Sequence, residues 1–336
     1  MNFYSIRHLT RFRYSCPISE SIMETRMNPR SDSNQHCLNF SLSVSPRCRV
    51  FSYRDHLGNN IQHFDIPGEH NQLVIVAESV VEQQVLPDVP AFLAPDAWGV
   101  LDEMIEAGDY WEMLLPSHFA QPSKLLQQLA RELGCQRRGN PLSLLTELNH
   151  AIYRSFDYVP HSTKVDSPIE DALRARAGVC QDFAHIMIAL VRGLKIPCRY
   201  VSGYMFHMDE EKIDEQNAIE QQPTEQQKDR SLEGASHAWV EALIPGWGWV
   251  AFDPTINLVG TDRHIRVAIG RDYADVPPTR GVYKGEAESE LSVAVTVSPS
   301  DAPLPQPAPP SIVIQSRPMF APRNSRTEHE QQQQQQ

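Results

Sequence analysis

The sequence has no long apolar run: the longest unbroken apolar stretch, Ile186 to Val191, is six residues. A membrane-spanning helix takes about 20 residues, so no span is expected. The first thirty residues carry Arg7, Arg11, Arg13, Glu20, Glu24 and Arg26 without an apolar block. A secretory leader is therefore not expected, and the cytoplasm is the expected location. Positive charge is also scarce, with 30 Lys and Arg against 42 Asp and Glu, a net −12 with His neutral. Nucleic acid and anionic lipid surfaces are drawn to basic patches, so neither is an expected partner. No glycine-rich phosphate loop of the P-loop or dinucleotide type is present, which removes the usual nucleotide cofactors. The six cysteines, Cys16, Cys37, Cys48, Cys135, Cys180 and Cys198, include no CxxC pair. Neither a disulfide framework nor a structural zinc site is expected from them, and no other metal or cofactor is implied.

What is present is a normal globular mixture, 41% hydrophobic and 21% charged, across 336 residues. At about 150 residues per domain that length suggests two domains. The first, roughly residues 1–90, reads as β. Leu38, Phe40, Leu42 and Val44 alternate with Asn39, Ser41, Ser43 and Ser45, the period of a half-buried strand. Asp55 to Asn60 is a turn between Phe51-Ser52-Tyr53 and Ile61–Ile66, which makes a hairpin. Several short strands with polar turns predict a small antiparallel sandwich.

The period then changes. Leu125, Leu126, Leu129 and Leu133 lie on one helical face ahead of Gly134, a suitable C-cap. Asn140-Pro141 reads as an N-cap followed by proline in the first turn, with a stripe of Leu142, Leu145, Leu148, Ile152 and Phe156 behind it. Residues 91–157 are thus a helical connection into a core spanning 158–285. Residues 208–234 interrupt that core with nine acidic and three basic residues. So little apolar surface cannot offset ordering entropy, and a mobile acidic insertion is expected. Residues 286–336, which hold eight prolines over 299–322 and end in six glutamines, are expected to be a disordered tail.

Three features of the core suggest chemistry. Gly178 marks a turn into the apolar helix that carries Ile186, Met187, Leu190, Val191 and Leu194, so Cys180 falls at the helix start. Unpaired N–H groups and the positive end of the helix dipole favour thiolate there and can bind a developing oxyanion. By itself this position is more often that of a buried cysteine packed into the core. Second, His237, Trp239 and Glu241 share one face of a strand opposite Ala238, Val240 and Ala242. Third, Gly248 to Asp253 forms the returning strand. If 245–247 is the loop and Ile244 pairs with Gly248, Asp253 lies opposite Trp239 and diagonal to His237. An aspartate there can hold one ring nitrogen and leave the other for a nucleophile, although a structural His–Asp pair would look the same. Together Cys180, His237 and Asp253 make a thiol triad: the imidazole takes the thiol proton and the carboxylate fixes the tautomer.

The strings GVCQDFAH (178–185), SHAWVEA (236–242) and GWVAFDPT (248–255) closely resemble the core of the bacterial transglutaminase-like superfamily. Phe156-Asp157-Tyr158 with Thr163, Gly193 to Pro197, Arg199 to Tyr204 and Gly270 to Pro278 agree with it. Tyr4 to His8 and Arg54 to Asn59 resemble the β-rich domain that precedes this core in many bacterial members. The resemblance implies an α+β protein with a papain-like thiol-enzyme core, in which Cys180 is nucleophile, His237 base and Asp253 orienting residue. It implies acyl transfer from a peptide or protein amide through a thioester, as a cysteine peptidase or amidase, or as a transglutaminase with an amine acceptor. A non-catalytic binding scaffold is the reading of another class, and the intact triad argues against it. Gln181 and Tyr158 are candidates for a second oxyanion donor. Trp239, Trp247 and Trp249 are candidates for a groove wall, with simple hairpin packing as the alternative. Arg271, Asp272 and Asp275 are expected to form a polar network near the site.

Overall fold

The computed structural model describes residues 1–301 except 33, 86, 88, 91, 92, 208–235, 261 and 262. The acidic insertion expected at 208–234 and the stretch 302–336 of the expected tail lie outside the described residues. The N-terminal strands are β1 (Asn2–Thr25), β2 (Gln35–Ser45), β3 (Val50–Arg54) and β4 (Asn60–Gln83). Helices α1 (Ala97–Ala107), α2 (Lys124–Glu132) and α3 (Pro141–Ser155) follow. Then come β5 (Asp157–Tyr158), α4 (Ile169–Ala175), β6 (Ala177–Gly178) and α5 (Cys180–Gly193). The chain continues through β7 (Cys198–Met205), β8 (His237–Ile244), β9 (Gly248–Asp253), β10 (Leu258–Val259) and β11 (His264–Gly270), then β12 (Thr279–Lys284) and β13 (Ser289–Pro299). No helix among the described residues is long and apolar enough to cross a membrane.

The sandwich expected at the N-terminus comes from one hydrogen-bonded antiparallel sheet that changes partners at irregular points in its two long strands. The β1–β4 register shifts between Arg13 and Ile18 and again between Ile18 and Glu20. Before the shifts, β1 lies between β13 and the second half of β4; after them it lies between β12 and the first half of β4. Both halves contribute to one apolar cluster, with Met23, Phe64 and Ile66 from one and Leu73, Ile75 and Ala77 from the other. In β2, Phe40, Leu42 and Val44 take the half-buried positions that their alternation predicts. Leu38 does not: it is the extra residue of a bulge between Cys37 and Asn39, and it is exposed.

The tail expectation needs correction at its start. Ser289–Pro299 is not disordered but pairs with β1 from Tyr14 back to Tyr4. Thr279–Lys284, assigned to the core, pairs with β1 over Glu20–Thr25. The period-2 signal was present in Leu291, Val293, Val295 and Val297, and the prolines beyond it drew the boundary too early. Only Val295 of that strand is fully buried, against Tyr4 and Ile6, so the main-chain ladder holds it more than side-chain burial does.

The core sheet has the order β10-β9-β8-β7-β11. Helix α5 packs its apolar face, including Phe183, Met187 and Val191, against Ala238, Val240, Ala242 and Phe252 of that sheet. Caps stop and start the helices where the sequence indicated. Asn140 accepts from Ser143 N–H, and Gly134 follows α2 with φ +59°.

β11 is an edge strand of this sheet, and its outward backbone groups are met by amide side chains from the N-terminal sheet. Gln35 accepts from Arg266 N–H and donates to Arg266 O, both at 2.8 Å. Asn59 does the same for Ile269, also at 2.8 Å, and Gln83 donates to His264 O at 2.9 Å. An open edge would otherwise leave these groups unpaired beneath another domain. A charge network runs alongside: buried Glu241 pairs with Arg199 at 2.6 Å and with Arg266 at 3.4 Å, and Arg266 reaches Asp32 at 3.2 Å. Replacing Asn59 by Ala strands two buried backbone groups at about 1–3 kcal/mol each, so urea unfolding should show a loss of roughly 2–4 kcal/mol. Asn39→Ala on the exposed face of β2 should stay within about 0.5 kcal/mol of the wild type.

Candidate active site

The thiol is set by the start of α5. Val179 is the N-cap in extended conformation, and Cys180 is the first helical residue, as the sequence indicated. Asp182, buried, turns back to accept from Val179 N–H at 2.9 Å and from the Thr163 hydroxyl at 2.5 Å. Burial outweighs those hydrogen bonds and raises its pKa above the ordinary carboxyl value. Gly178 is required at the turn, because a Cβ there would lie 2.8 Å from both Cβ and Oδ2 of Asp182. Asp182 escaped the sequence reading, although an acidic residue three positions into a helix is the capping-box signal.

The β8–β9 hairpin has the anticipated register: Ile244 pairs with Gly248, and the ladder continues to Val240 opposite Phe252. One further step puts Trp239 opposite Asp253 and His237 on the diagonal. The result is a 2.6 Å contact between His237 Nε2 and Asp253 Oδ2. With Nε2 engaged, Nδ1 is the ring nitrogen left for the thiol, and Cys180 lies within hydrogen-bonding reach of His237. The structure thus brings Cys180, His237 and Asp253 together from α5, β8 and β9.

A fourth side chain, absent from the sequence reading, completes the cluster. His264 at the start of β11 places Nε2 2.8 Å from the same Oδ2 of Asp253. Oδ1 of Asp253 accepts from Thr255 N–H at 2.9 Å. No motif spacing announces His264, since its approach depends on β11 sitting at the far edge of the sheet from β9. The donor atoms of His237, Asp253 and His264 lie within 4.8 Å of one another, the one group among the described residues with metal-ligand composition. In this arrangement they hydrogen-bond one another directly, at distances normal for N–H···O contacts.

The electrostatics follow from burial and proximity. Burial opposes the charge on Asp253. The opposing charge of His237 and the hydrogen bonds from His237 and His264 overcome it, holding the carboxyl far below the usual range. Burial also opposes protonation of His237, but the Asp253 carboxylate, with Cys180 adding to it, lifts that imidazole to about 10. For His264 burial dominates over the same carboxylate, so it stays below the ordinary histidine value. One buried imidazole is therefore readily charged and its neighbour is not.

The remaining candidates separate. Gln181 donates its amide to Val165 O at 2.9 Å, tying that segment to the helix start. Tyr158 packs edge-on to Phe183 at 6.4 Å between centroids. Trp239 is fully buried, 4.7 Å from His264, and Trp249 carries the Arg199 guanidinium on its face at 4.3 Å. Of the three tryptophans only Trp247, at the hairpin tip, is exposed, so packing explains the other two. Arg271 and Asp275 form a two-pronged pair at 2.9 Å, and Asp272 accepts from Phe119 and Ala274 N–H, the polar network expected there. His185 belongs to that network, not to the thiol: its Nε2 accepts from Tyr273 N–H, and burial pushes it down to about 3.

Comparison with known proteins places this geometry in a family. Residues 4–82 match the bacterial transglutaminase-like N-terminal region, and residues 127–254 match the transglutaminase-like superfamily. An uncharacterised protein of Mycobacterium leprae is 31% identical over 279 residues, covering 83% of this chain and 92% of that one. A protein-glutamine gamma-glutamyltransferase of Pseudomonas aeruginosa is 26% identical over 190 residues, 55% of this chain and 26% of that one. A crystal structure from Cytophaga hutchinsonii that carries a provisional cysteine-protease name shares the fold, with TM-score 0.64 and 24% identity over 90% of this chain and 92% of that one.

The raised His237 has a consequence for stability. A group lifted from 6.5 to about 10 on folding stabilises fully below 6.5 and loses that contribution as pH rises through 10. The stability advantage of wild type over His237→Gln in urea should therefore shrink steadily from pH 6.5 to 10; a constant difference would contradict the pairing. With its α5 thiol, its β8–β9 hairpin and both matched regions, the chain belongs to the transglutaminase-like superfamily of thiol-dependent enzymes.

Proposed function

We propose that the protein catalyses acyl transfer from a peptide or protein amide through a thioester on Cys180, with water as the usual acceptor. The observation that carries this reading is the position of His237, bonded to Asp253 at 2.6 Å through Nε2 and within reach of Cys180. His237 takes the thiol proton, and the thiolate attacks the amide carbon. A C–S bond forms while the carbonyl electron pair moves to oxygen. In this reading backbone N–H groups at the start of α5 receive that oxyanion. Collapse breaks the C–N bond, and the leaving amine takes the proton from the imidazolium. Water then attacks the thioester with His237 again as base, releasing the acid and restoring the thiol. Asp253 keeps the ring in the productive tautomer and balances its charge.

Transamidation is the second reading, favoured by the likeness to the Pseudomonas transferase. It differs only in the second half, where a primary amine replaces water. Both readings are tested by incubating glutamine-containing peptides with the enzyme in 18O-labelled water, with and without a fluorescent primary amine. Hydrolysis predicts 18O in the product acid and little amine incorporation; predominant incorporation would move the assignment to transferase. Cys180→Ala should abolish both, and turnover surviving in that variant would overturn the thioester.

A further inference from the structure

We propose that His264 is a positioning residue of this site: a neutral second histidine that donates Nε2–H to Asp253 Oδ2 and so fixes the carboxylate that directs His237. The inference rests on the function proposed above and extends it to a residue outside the three-residue motif.

The geometry requires a particular tautomer. Asp253 is ionised and can only accept, so the 2.8 Å contact to His264 Nε2 needs hydrogen on that nitrogen. His264 Nδ1 is then an acceptor, and it is buried with no hydrogen-bond partner among the described residues. Protonating it would place a second cation beside His237, whose ring centroid is 5.6 Å away, with Arg263 adding to the repulsion. Fully buried Trp239 packs beside both rings, edge-on to His264 with centroids 4.7 Å apart and stacked on His237 at 6.2 Å. His264 thus delivers a hydrogen bond without delivering charge.

That distinction matters for the triad. With Thr255 N–H on Oδ1 and two imidazoles on Oδ2, the carboxylate has one rotational setting in which all three bonds are made. Without His264 it keeps two, and Oδ2 is free to swing with His237. A neutral donor also spreads the negative charge of Oδ2, so the shared proton stays on His237. The position of His264 is in turn set from outside the core: its carbonyl accepts from Gln83 of β4, and its backbone pairs with Met205. The N-terminal sheet therefore reaches the thiol through one edge strand, one neutral imidazole and one carboxylate.

The test is the pH profile of Cys180 alkylation, read by mass mapping in the full-length protein. His264→Leu removes the donor at similar volume, and His264→Gln restores an amide donor of comparable reach. The acid limb of the profile should move up by about one pH unit in His264→Leu, the size expected for one of several hydrogen bonds on a carboxylate. It should return toward the wild-type position in His264→Gln. A folded His264→Leu protein with an unmoved limb, or a His264→Gln protein no better than His264→Leu, would overturn the proposal. Should the leucine variant not fold, 15N-histidine NMR of the wild type carries the decision. His264 must stay in the neutral Nε2–H form from pH 5 to 8, and titration or the opposite tautomer would overturn it. His237→Ala measured in the same series tests the function separately, because an unchanged profile there removes the thiol–imidazole pair whatever His264 does.

Discussion

The site depends on a single buried oxygen. Asp253 Oδ2 receives two imidazoles, and a carboxylate with so little exposure to water is tolerable only because both of its oxygens are hydrogen-bonded and a charged imidazole faces it. That requirement explains the arrangement around it. The hairpin loop of Pro245, Gly246 and Trp247 sets the register that puts Asp253 diagonal to His237. Pro254 ends β9 directly after Asp253, and the chain turns so that Thr255 N–H comes back onto Oδ1. Shifting the register by one residue would turn Asp253 to the α5 side of the sheet and leave its charge among alanine and valine side chains.

The N-terminal sheet acts on the same point from the opposite edge. Edge strands are commonly left to solvent or covered by apolar packing. Here three amide side chains, Gln35, Asn59 and Gln83, substitute for the missing neighbouring strand and bind β11 at Arg266, Ile269 and His264. Apolar contact of Tyr4, Ile6 and Val81 with Tyr204, Ile265 and Val267 secures the same boundary. The β domain and the thiol core are therefore coupled by directional bonds as well as by burial, and one of those bonds ends on His264, which touches the Asp253 carboxylate.

Much of this was legible in the sequence, for physical reasons that differ from element to element. The hairpin register could be derived because a three-residue loop and a period of two leave little freedom. The cysteine at a helix start could be derived because glycine and an apolar helical stripe bracket it. The sandwich strands showed in the alternation of β2, and the helix caps in Asn140-Pro141 and Gly134. What escaped was non-local. β12 and β13 join β1 across more than 250 residues, and no local pattern says which strand they will pair with. His264 escaped for the same reason. Its neighbours in sequence carry no motif, and its role arises only when β11 is placed at the sheet edge. The three tryptophans erred in the other direction, since aromatic residues on the hairpin that carries His237 and Asp253 suggested a groove and two of them proved to be packing.

The central claim is that one thiol of six is activated by its surroundings, and selective labelling at a single mildly acidic pH tests it most directly. Cys16 is exposed and serves as the internal reference, whereas burial pushes Cys37, Cys135 and Cys198 up to about 11. Short treatment with iodoacetamide at about pH 6, followed by mass mapping, reads all six together, and an ordinary thiol near 8.5 is almost wholly protonated there. The account predicts that Cys180 is modified well ahead of Cys16, although Cys16 is the more accessible. Labelling that follows exposure alone, with Cys16 first and Cys180 no faster than the rest, would contradict it.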